Sequence, residues 1–228
     1  MTFGGFTPFT LIDYAGKTAC IVFTVGCNFR CPYCHNPELV DETAEETFSE
    51  AFVLSFLEKR RGILDGLVIT GGEPTMHGDL LPFIAKVKQL GFLVKLDTNG
   101  TNPSLLRDAL EKKLVDYVAM DVKAPLSSYY KTVGRPVNTD ALKESIDILL
   151  NASIPYEFRT TVVKALLSPE DLEEIVREIS GAKRYYLQKF IPSNILNPQF
   201  KRKVPYTDEE FEQFQKTAQK YVAYCGIR

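Results

Sequence analysis

Three of the chain's five cysteines, Cys27, Cys31 and Cys34, fall within eight residues, while Cys20 and Cys225 stand apart. Thiolates serve proteins as nucleophiles, redox couples and soft metal ligands, so the chemistry of this chain is to be sought in that loop. An odd, crowded set does not suit a secreted disulfide scaffold; it suits a metal or a redox thiol in a reducing compartment. The loop reads Cys27-Asn28-Phe29-Arg30-Cys31-Pro32-Tyr33-Cys34-His35-Asn36-Pro37, and several chemistries overlap in it. Cys31-Pro32-Tyr33-Cys34 is a CxxC dithiol of the glutaredoxin kind, but that chemistry needs two sulfurs and a much smaller fold, and it leaves Cys27 without a use. Cys31 to His35 also spells the CxxCH haem-attachment pattern, which belongs to exported, helical chains. Zinc accepts three sulfurs and one nitrogen, so Cys27, Cys31, Cys34 and His35 are an admissible set, although adjacent Cys34 and His35 have little freedom to turn onto one ion. Three thiolates spaced four and then three residues apart can instead grip three corners of a 4Fe-4S cube and leave its fourth iron open to a substrate.

The elements that must position this loop follow from periodicity. Thr18 to Val25 is a β-branched apolar run that breaks at Gly26, a buried strand feeding the cysteines. Thr47 and Glu50 stand at capping-box spacing before Phe48, Phe52, Val53, Phe56 and Leu57, which predicts the first helix. Strand Leu67 to Thr70 precedes a helix opened by Asp79 and stopped at Gly91, and strand Phe92 to Leu96 precedes one begun at Asn102-Pro103. Strand Tyr117 to Met120 leads through a long loop to helix Ala141 to Leu150. Strand Phe158 to Val163 precedes a helix capped by Ser168, and strand Arg184 to Phe190 a last helix begun by Thr207 and Glu210.

Six β-α units in alternation imply an α/β fold with a parallel sheet, doubly wound or curled into a barrel. Polar residues gather at nearly every strand end: the cysteine loop, Gly71-Gly72-Glu73-Pro74, Asp97-Thr98-Asn99-Gly100, Asp121 with Lys123, and Gln188, while Arg159 lies within the fifth strand. In a barrel all those ends surround one mouth, so the distribution favours a barrel or partial barrel. No internal linker interrupts the chain, which reads as a single domain, 1–228, with its core at about 15–190 and a closing helix at about 207–222.

Composition bounds the function classes. With 45% hydrophobic and 25% charged residues over 228 positions, the chain is an ordinary globular one, which excludes disorder and fibrous folds. Its 29 acidic and 27 basic side chains leave a net charge of -2, with no surplus to neutralise a phosphate backbone, so nucleic acid is not the expected partner. The basic run Lys201-Arg202-Lys203 reads as solvated surface. No apolar run approaches the roughly 20 residues of a membrane span. No basic region precedes an apolar stretch at the start, so the expected location is the cytoplasm, without a membrane.

CxxxCxxC with an aromatic residue before its third cysteine, in the loop after the first strand, resembles the radical S-adenosylmethionine (radical SAM) superfamily, and GGEP after the second strand strengthens the resemblance. The resemblance implies a partial (β/α)6 TIM-like barrel of the radical SAM type. It implies that Cys27, Cys31 and Cys34 ligate one 4Fe-4S cluster, and that S-adenosyl-L-methionine chelates the open iron and is cleaved to a 5′-deoxyadenosyl radical. Gly71 and Gly72 would approach the methionine amine, with Glu73 accepting from it. The DTNG run at Asp97 and the DxK run at Asp121 and Lys123 resemble those of glycyl-radical-enzyme activases. Lys123 would meet the cofactor carboxylate, Asp121 its ribose hydroxyls, and Asp97 with Asp121 a monovalent cation. Tyr33 offers the adenine a flat face beside His35.

Phe9 to Lys17 and Gly26 to Leu39 are similar to activating proteins of anaerobic ribonucleoside-triphosphate reductase, relatives of pyruvate formate-lyase activating enzyme, and the similarity covers roughly residues 5 to 190. The implied partners are a glycyl-radical enzyme as protein substrate and a flavodoxin- or ferredoxin-type electron donor. Two departures stand out. Leu187-Gln188-Lys189-Phe190-Ile191 lacks the histidine that pyruvate formate-lyase activases carry there, and Cys20 and Cys225 cannot furnish a second cluster. Cys20 reads as a buried small hydrophobe, Cys225 as idle and His77 as a surface residue. Arg159 suits a site carboxylate or a structural ion pair equally. Two other functions stay open: radical chemistry on a small molecule such as a modified-nucleobase precursor, and a zinc-stabilised binding module.

Overall fold

The computed structural model describes all 228 residues, in two compact units. The first comprises Met1–Asn28, Glu38–Thr98 and Ser104–Val118; the second comprises Phe29–Pro37, Asn99–Pro103 and Ala119–Arg228.

The first unit carries β1 (Thr2–Thr10), β2 (Ala19–Thr24), α1 (Pro37–Val40), β3 (Phe48–Ser49), α2 (Glu50–Glu58), β4 (Gly66–Gly71), α3 (Leu80–Gln89), β5 (Leu93–Thr98), α4 (Pro103–Glu111) and the start of β6 (Tyr117–Asp121). Its strands run in the order β3-β1-β2-β4-β5-β6. β2, β4 and β5 are parallel, with Val22 opposite Ile69 and Leu67 opposite Val94. Ile21, Val22, Leu67, Val68 and Ile69 are buried, the continuous apolar run expected of parallel strands covered on both faces.

β1 breaks the expected all-parallel pattern by running antiparallel to both β2 and β3. Its Gly4-Gly5 pair hides it from periodicity, because glycine in a strand usually marks a break. The pair has a packing cause: a Cβ on Gly4 would stand 2.6 Å from the Leu39 side chain and 2.7 Å from Val25. The helix expected from the Thr47 capping box is α2, preceded by the short α1, and it starts later than that box suggested. Phe48 pairs with Phe3 in β3, and Ser49 caps α2 by accepting the Phe52 N–H at 3.2 Å. Asp79 precedes α3 without capping it, since its carboxylate meets the Met1 ammonium at 3.0 Å.

The second unit carries the end of β6, α5 (Tyr129–Val133), α6 (Thr139–Leu150), β7 (Tyr156–Val162), α7 (Pro169–Glu178), β8 (Tyr185–Lys189), α8 (Asp208–Ala218) and β9 (Cys225–Ile227), in the strand order β6-β7-β8-β9. The long loop expected after β6 contains α5, too short for a periodic signal and ended by Gly134 at φ +66°. Ser168 with Asp171 and Thr207 with Glu210 form full capping boxes, as their spacing predicted. β9 pairs in parallel with β8 and buries Cys225 opposite Tyr185. Cys225 is therefore a core residue, and burial pushes its thiol up to about 12, as it does that of Cys20 in β2. In both units the strand order is linear, so the fold is α/β with a mostly parallel, open sheet, in keeping with a partial barrel. No helix is long and apolar enough to cross a membrane.

Candidate active site

In the first unit β2 and β4 end side by side, Thr24 opposite Gly71. The three carbonyls leading toward Cys27 each accept a donor from the segment after β4. Thr24 O takes the Gly72 N–H at 2.9 Å, Gly26 O takes the Glu73 N–H at 2.8 Å, and Val25 O takes His77 Nε2 at 2.9 Å. The Gly26 N–H donates to Leu39 O at 2.8 Å. His77, expected at the surface, is half-buried because the 3-10 turn Pro74–Met76 directs it back onto β2. The two glycines are sterically required. Gly71 has φ +107°, and a Cβ on Gly72 would stand 1.9 Å from Gly26 O. In this structure their close approach is to the turn that carries Cys27.

Glu73 is only 1% exposed. Its Oε1 accepts the Thr75 N–H at 3.0 Å, the Thr75 hydroxyl at 2.5 Å and the Thr98 hydroxyl at 2.7 Å, which ties the turn after β4 to the end of β5. Asp97 shares a strand face with Lys95, whose side chain is 4% exposed and whose ammonium lies 3.0 Å from Asp97 Oδ1 and donates to Asp13 O at 2.6 Å. Lys95 belongs to none of the strand-end motifs, and its one mark in the sequence is a lysine inside the apolar run Leu93-Val94-Lys95-Leu96.

In the second unit the Cys34 N–H donates to Cys31 O at 3.0 Å, closing a tight turn. That turn is held from outside by the Leu196 N–H on Cys34 O and the Asn197 N–H on Pro32 O, both at 2.9 Å. The Arg30 N–H donates to Val133 O at 2.8 Å. Cys31 is buried and Cys34 half-buried, and none of the five cysteines is in a disulfide. Tyr33 is buried with no protein partner for its hydroxyl. Burial pushes that hydroxyl well above its ordinary range, Cys31 and Asp121 adding to the effect and Lys123 opposing it.

Asp121, at the end of β6, lies between Lys123 Nζ at 3.0 Å and Arg159 Nε at 2.8 Å. Burial alone would raise its carboxyl, but the two cations prevail and bring it down to about 2. Burial likewise works against the charge of Lys123, and Asp121 outweighs it, holding the ammonium well above its usual range. Arg159 is thus the partner of Asp121. The Lys123 N–H donates to the Tyr129 hydroxyl at 3.1 Å, and that hydroxyl donates to Asp121 O at 3.3 Å. His35 sets its ring 6.3 Å from that of Phe190, with Nδ1 3.5 Å from Ser193 Oγ. Gln188 is half-buried, its Oε1 3.5 Å from the Thr161 hydroxyl.

Nowhere in the chain do three or more His, Cys, Asp or Glu side chains converge as ligands of a single ion. A zinc site from Cys27, Cys31, Cys34 and His35 would require that convergence, whereas a cube spreads its thiolates over separate irons. Three cysteines outside any disulfide and a buried Tyr33 hydroxyl without a hydrogen-bond partner fit a sulfur-ligated cluster and a polar small cofactor.

A family model for the radical SAM superfamily matches residues 21–179. The chain is 35% identical, over 98% of its length and 94% of the relative's, to a Methanocaldococcus jannaschii protein provisionally named a glycyl-radical enzyme activating enzyme. Among solved structures it resembles a radical SAM methyltransferase from Sphaerobacter thermophilus, with TM-score 0.71, 17% identity and coverage of 96% of this chain and 68% of that one. It also resembles a domain of pyruvate-formate lyase-activating enzyme from Bacteroides vulgatus, with TM-score 0.58, 16% identity and coverage of 72% and 98%. At these identities the structural likenesses establish the fold.

Proposed function

Since the chain belongs to the radical SAM superfamily and is an enzyme of that class, we propose that it is a glycyl-radical-enzyme activase whose protein substrate is an anaerobic ribonucleoside-triphosphate reductase. Membership brings with it a 4Fe-4S cluster and S-adenosyl-L-methionine. The observation that carries the reading is the cysteine loop: three cysteines at four- and three-residue spacing, none of them in a disulfide, with hydrogen bonds fixing the backbone before Cys27 and again at Pro32 and Cys34. Similarity to a provisionally named activating enzyme along nearly the whole chain supports a protein glycine over a small molecule.

In this reading Cys27, Cys31 and Cys34 hold the cluster, which when bound supplies one electron to the sulfonium of the cofactor. Lys123 presents a fixed positive charge to the cofactor carboxylate. Asp121, kept ionised by Lys123 and Arg159, accepts from ribose hydroxyls. The buried Tyr33 hydroxyl donates to the bound cofactor, and His35 packs beside the adenine. Glu73 keeps the turn after β4 in place through Thr75 and Thr98 and would accept from the methionine amine, while Gly71 and Gly72 let that turn close onto the backbone leading to Cys27. Asp97 and Asp121 already have protein cations at 2.8 to 3.0 Å, from Lys95, Lys123 and Arg159, so no monovalent cation is assigned to them.

Protein prepared without oxygen should carry about four irons per chain and form 5′-deoxyadenosine when reduced with the cofactor. Cys27→Ala, Cys31→Ala and Cys34→Ala should each lose both properties, whereas Cys20→Ala and Cys225→Ala keep them. Zinc in place of iron, or full activity in Cys31→Ala, would overturn the assignment.

A further inference from the structure

The segment after β8 returns to the cysteine loop through backbone alone, by the Leu196 and Asn197 N–H bonds to Cys34 O and Pro32 O. Asn197 then caps the next turn, its side chain accepting the Gln199 N–H at 3.0 Å. That turn is the 3-10 helix Pro198–Arg202. A 3-10 helix rises about 2 Å per residue, so it carries Lys201, Arg202 and Lys203 on the order of 15 Å from Pro32. All three are exposed, and none is in an ion pair. Val204 beside them is 75% exposed. No Asp or Glu occurs between Glu178 and Asp208, in a chain whose net charge is -2. A solvated basic run would ordinarily be diluted by neighbouring acids; this one is concentrated, unneutralised and attached by two hydrogen bonds to the loop of Cys31 and Cys34.

We propose that Lys201, Arg202 and Lys203, with Val204, form the docking surface for an acidic electron-transfer protein that reduces the cluster. The proposal rests on the function given above. One electron passes from the donor's reduced flavin or iron–sulfur group to the oxidised cluster; the donor is oxidised by one electron, the cluster is reduced by one, and no atom moves. Such encounters are brief, use small interfaces and depend on steering by opposite charge, which an exposed basic rim with one apolar side chain supplies. The charges are far enough out to be screened, so docking weakens with salt.

The test uses cluster-loaded protein and the variant K201E/R202E/K203E, with a flavodoxin as the acidic donor. Affinity for the flavodoxin and the rate of 5′-deoxyadenosine formation are measured at low salt and at about 0.5 M salt. The wild type should bind more weakly at high salt. At low salt the variant should lose about tenfold or more in both affinity and flavodoxin-driven rate. With dithionite as reductant the two proteins should turn over equally. Undiminished flavodoxin affinity in the variant would overturn the docking surface, as would an equal loss with dithionite. A weakened affinity for the glycyl-radical enzyme, with flavodoxin binding intact, would assign the patch to the substrate and overturn it too. Absence of 5′-deoxyadenosine from wild-type protein with dithionite would count against the enzymatic reading, while the affinity measurement still decides the docking.

Discussion

The carbonyl oxygen of Gly26 lies 1.9 Å from where a Cβ on Gly72 would stand. The glycine after β4 is therefore a contact surface for the residue that precedes Cys27, and the Glu73 N–H bond to Gly26 O at 2.8 Å depends on that contact. Gly72→Ala must push the two turns apart, at a cost of about 2–4 kcal/mol. Denaturant unfolding should register this loss together with reduced iron retention. Gly78→Ala is the matched control, because a Cβ there meets nothing within 4 Å, and its stability should stay within about 0.5 kcal/mol of the wild type.

Lys95 is a buried ammonium facing Asp97 and Asp13 O. Lys95→Met removes one partner of a buried pair and should cost about 3–5 kcal/mol, since charge left in a low-dielectric site loses its compensation. Lys95→Met combined with Asp97→Asn should recover part of that cost, giving a coupling above about 1 kcal/mol in a double-mutant cycle. Simple additivity would show that the pair does not interact.

Glu178 contributes a pH dependence opposite in sign to that of the paired carboxylates. Its Oε1 accepts the Leu126 N–H at 2.9 Å, while its Oε2 is buried without a partner. Burial raises its carboxyl from 4.5 to about 7. A carboxyl whose folded value is raised favours the protonated folded state, so stability falls as pH climbs from 4.5 through about 7. Glu178→Gln keeps the acceptor for Leu126 and cannot ionise. It should be more stable than the wild type at pH 8, on the order of 1–2 kcal/mol, and no more stable below pH 4.5. Parallel stability curves for the two proteins from pH 4 to 8 would contradict this.

The cysteine loop, the alternation of strands and helices and the capping boxes at Ser168 and Thr207 could be read directly, because each is a local pattern with a local cause. What could not be read depends on chain brought from elsewhere. β1 is hidden by Gly4-Gly5, where Gly4 packs against Leu39 and Val25 and Gly5 against Phe23, and β9 spans three residues, too few to show a period. Ser49 supplants Thr47 as a cap because Phe48 is taken by pairing with Phe3. His77 reads as a surface residue, and Arg159 suits two roles equally. Val25 O and the Asp121 carboxylate, distant in sequence, give them their roles.

The central claim is that this chain places a radical on a glycine of another protein. Cluster-loaded enzyme, reductant and S-adenosyl-L-methionine should be mixed with an anaerobic ribonucleoside-triphosphate reductase and followed by electron paramagnetic resonance. The account predicts a glycyl-radical doublet on the reductase, lost when its radical glycine is changed to alanine and lost again with Cys31→Ala in this chain. Steady formation of 5′-deoxyadenosine with no radical on the reductase would contradict it.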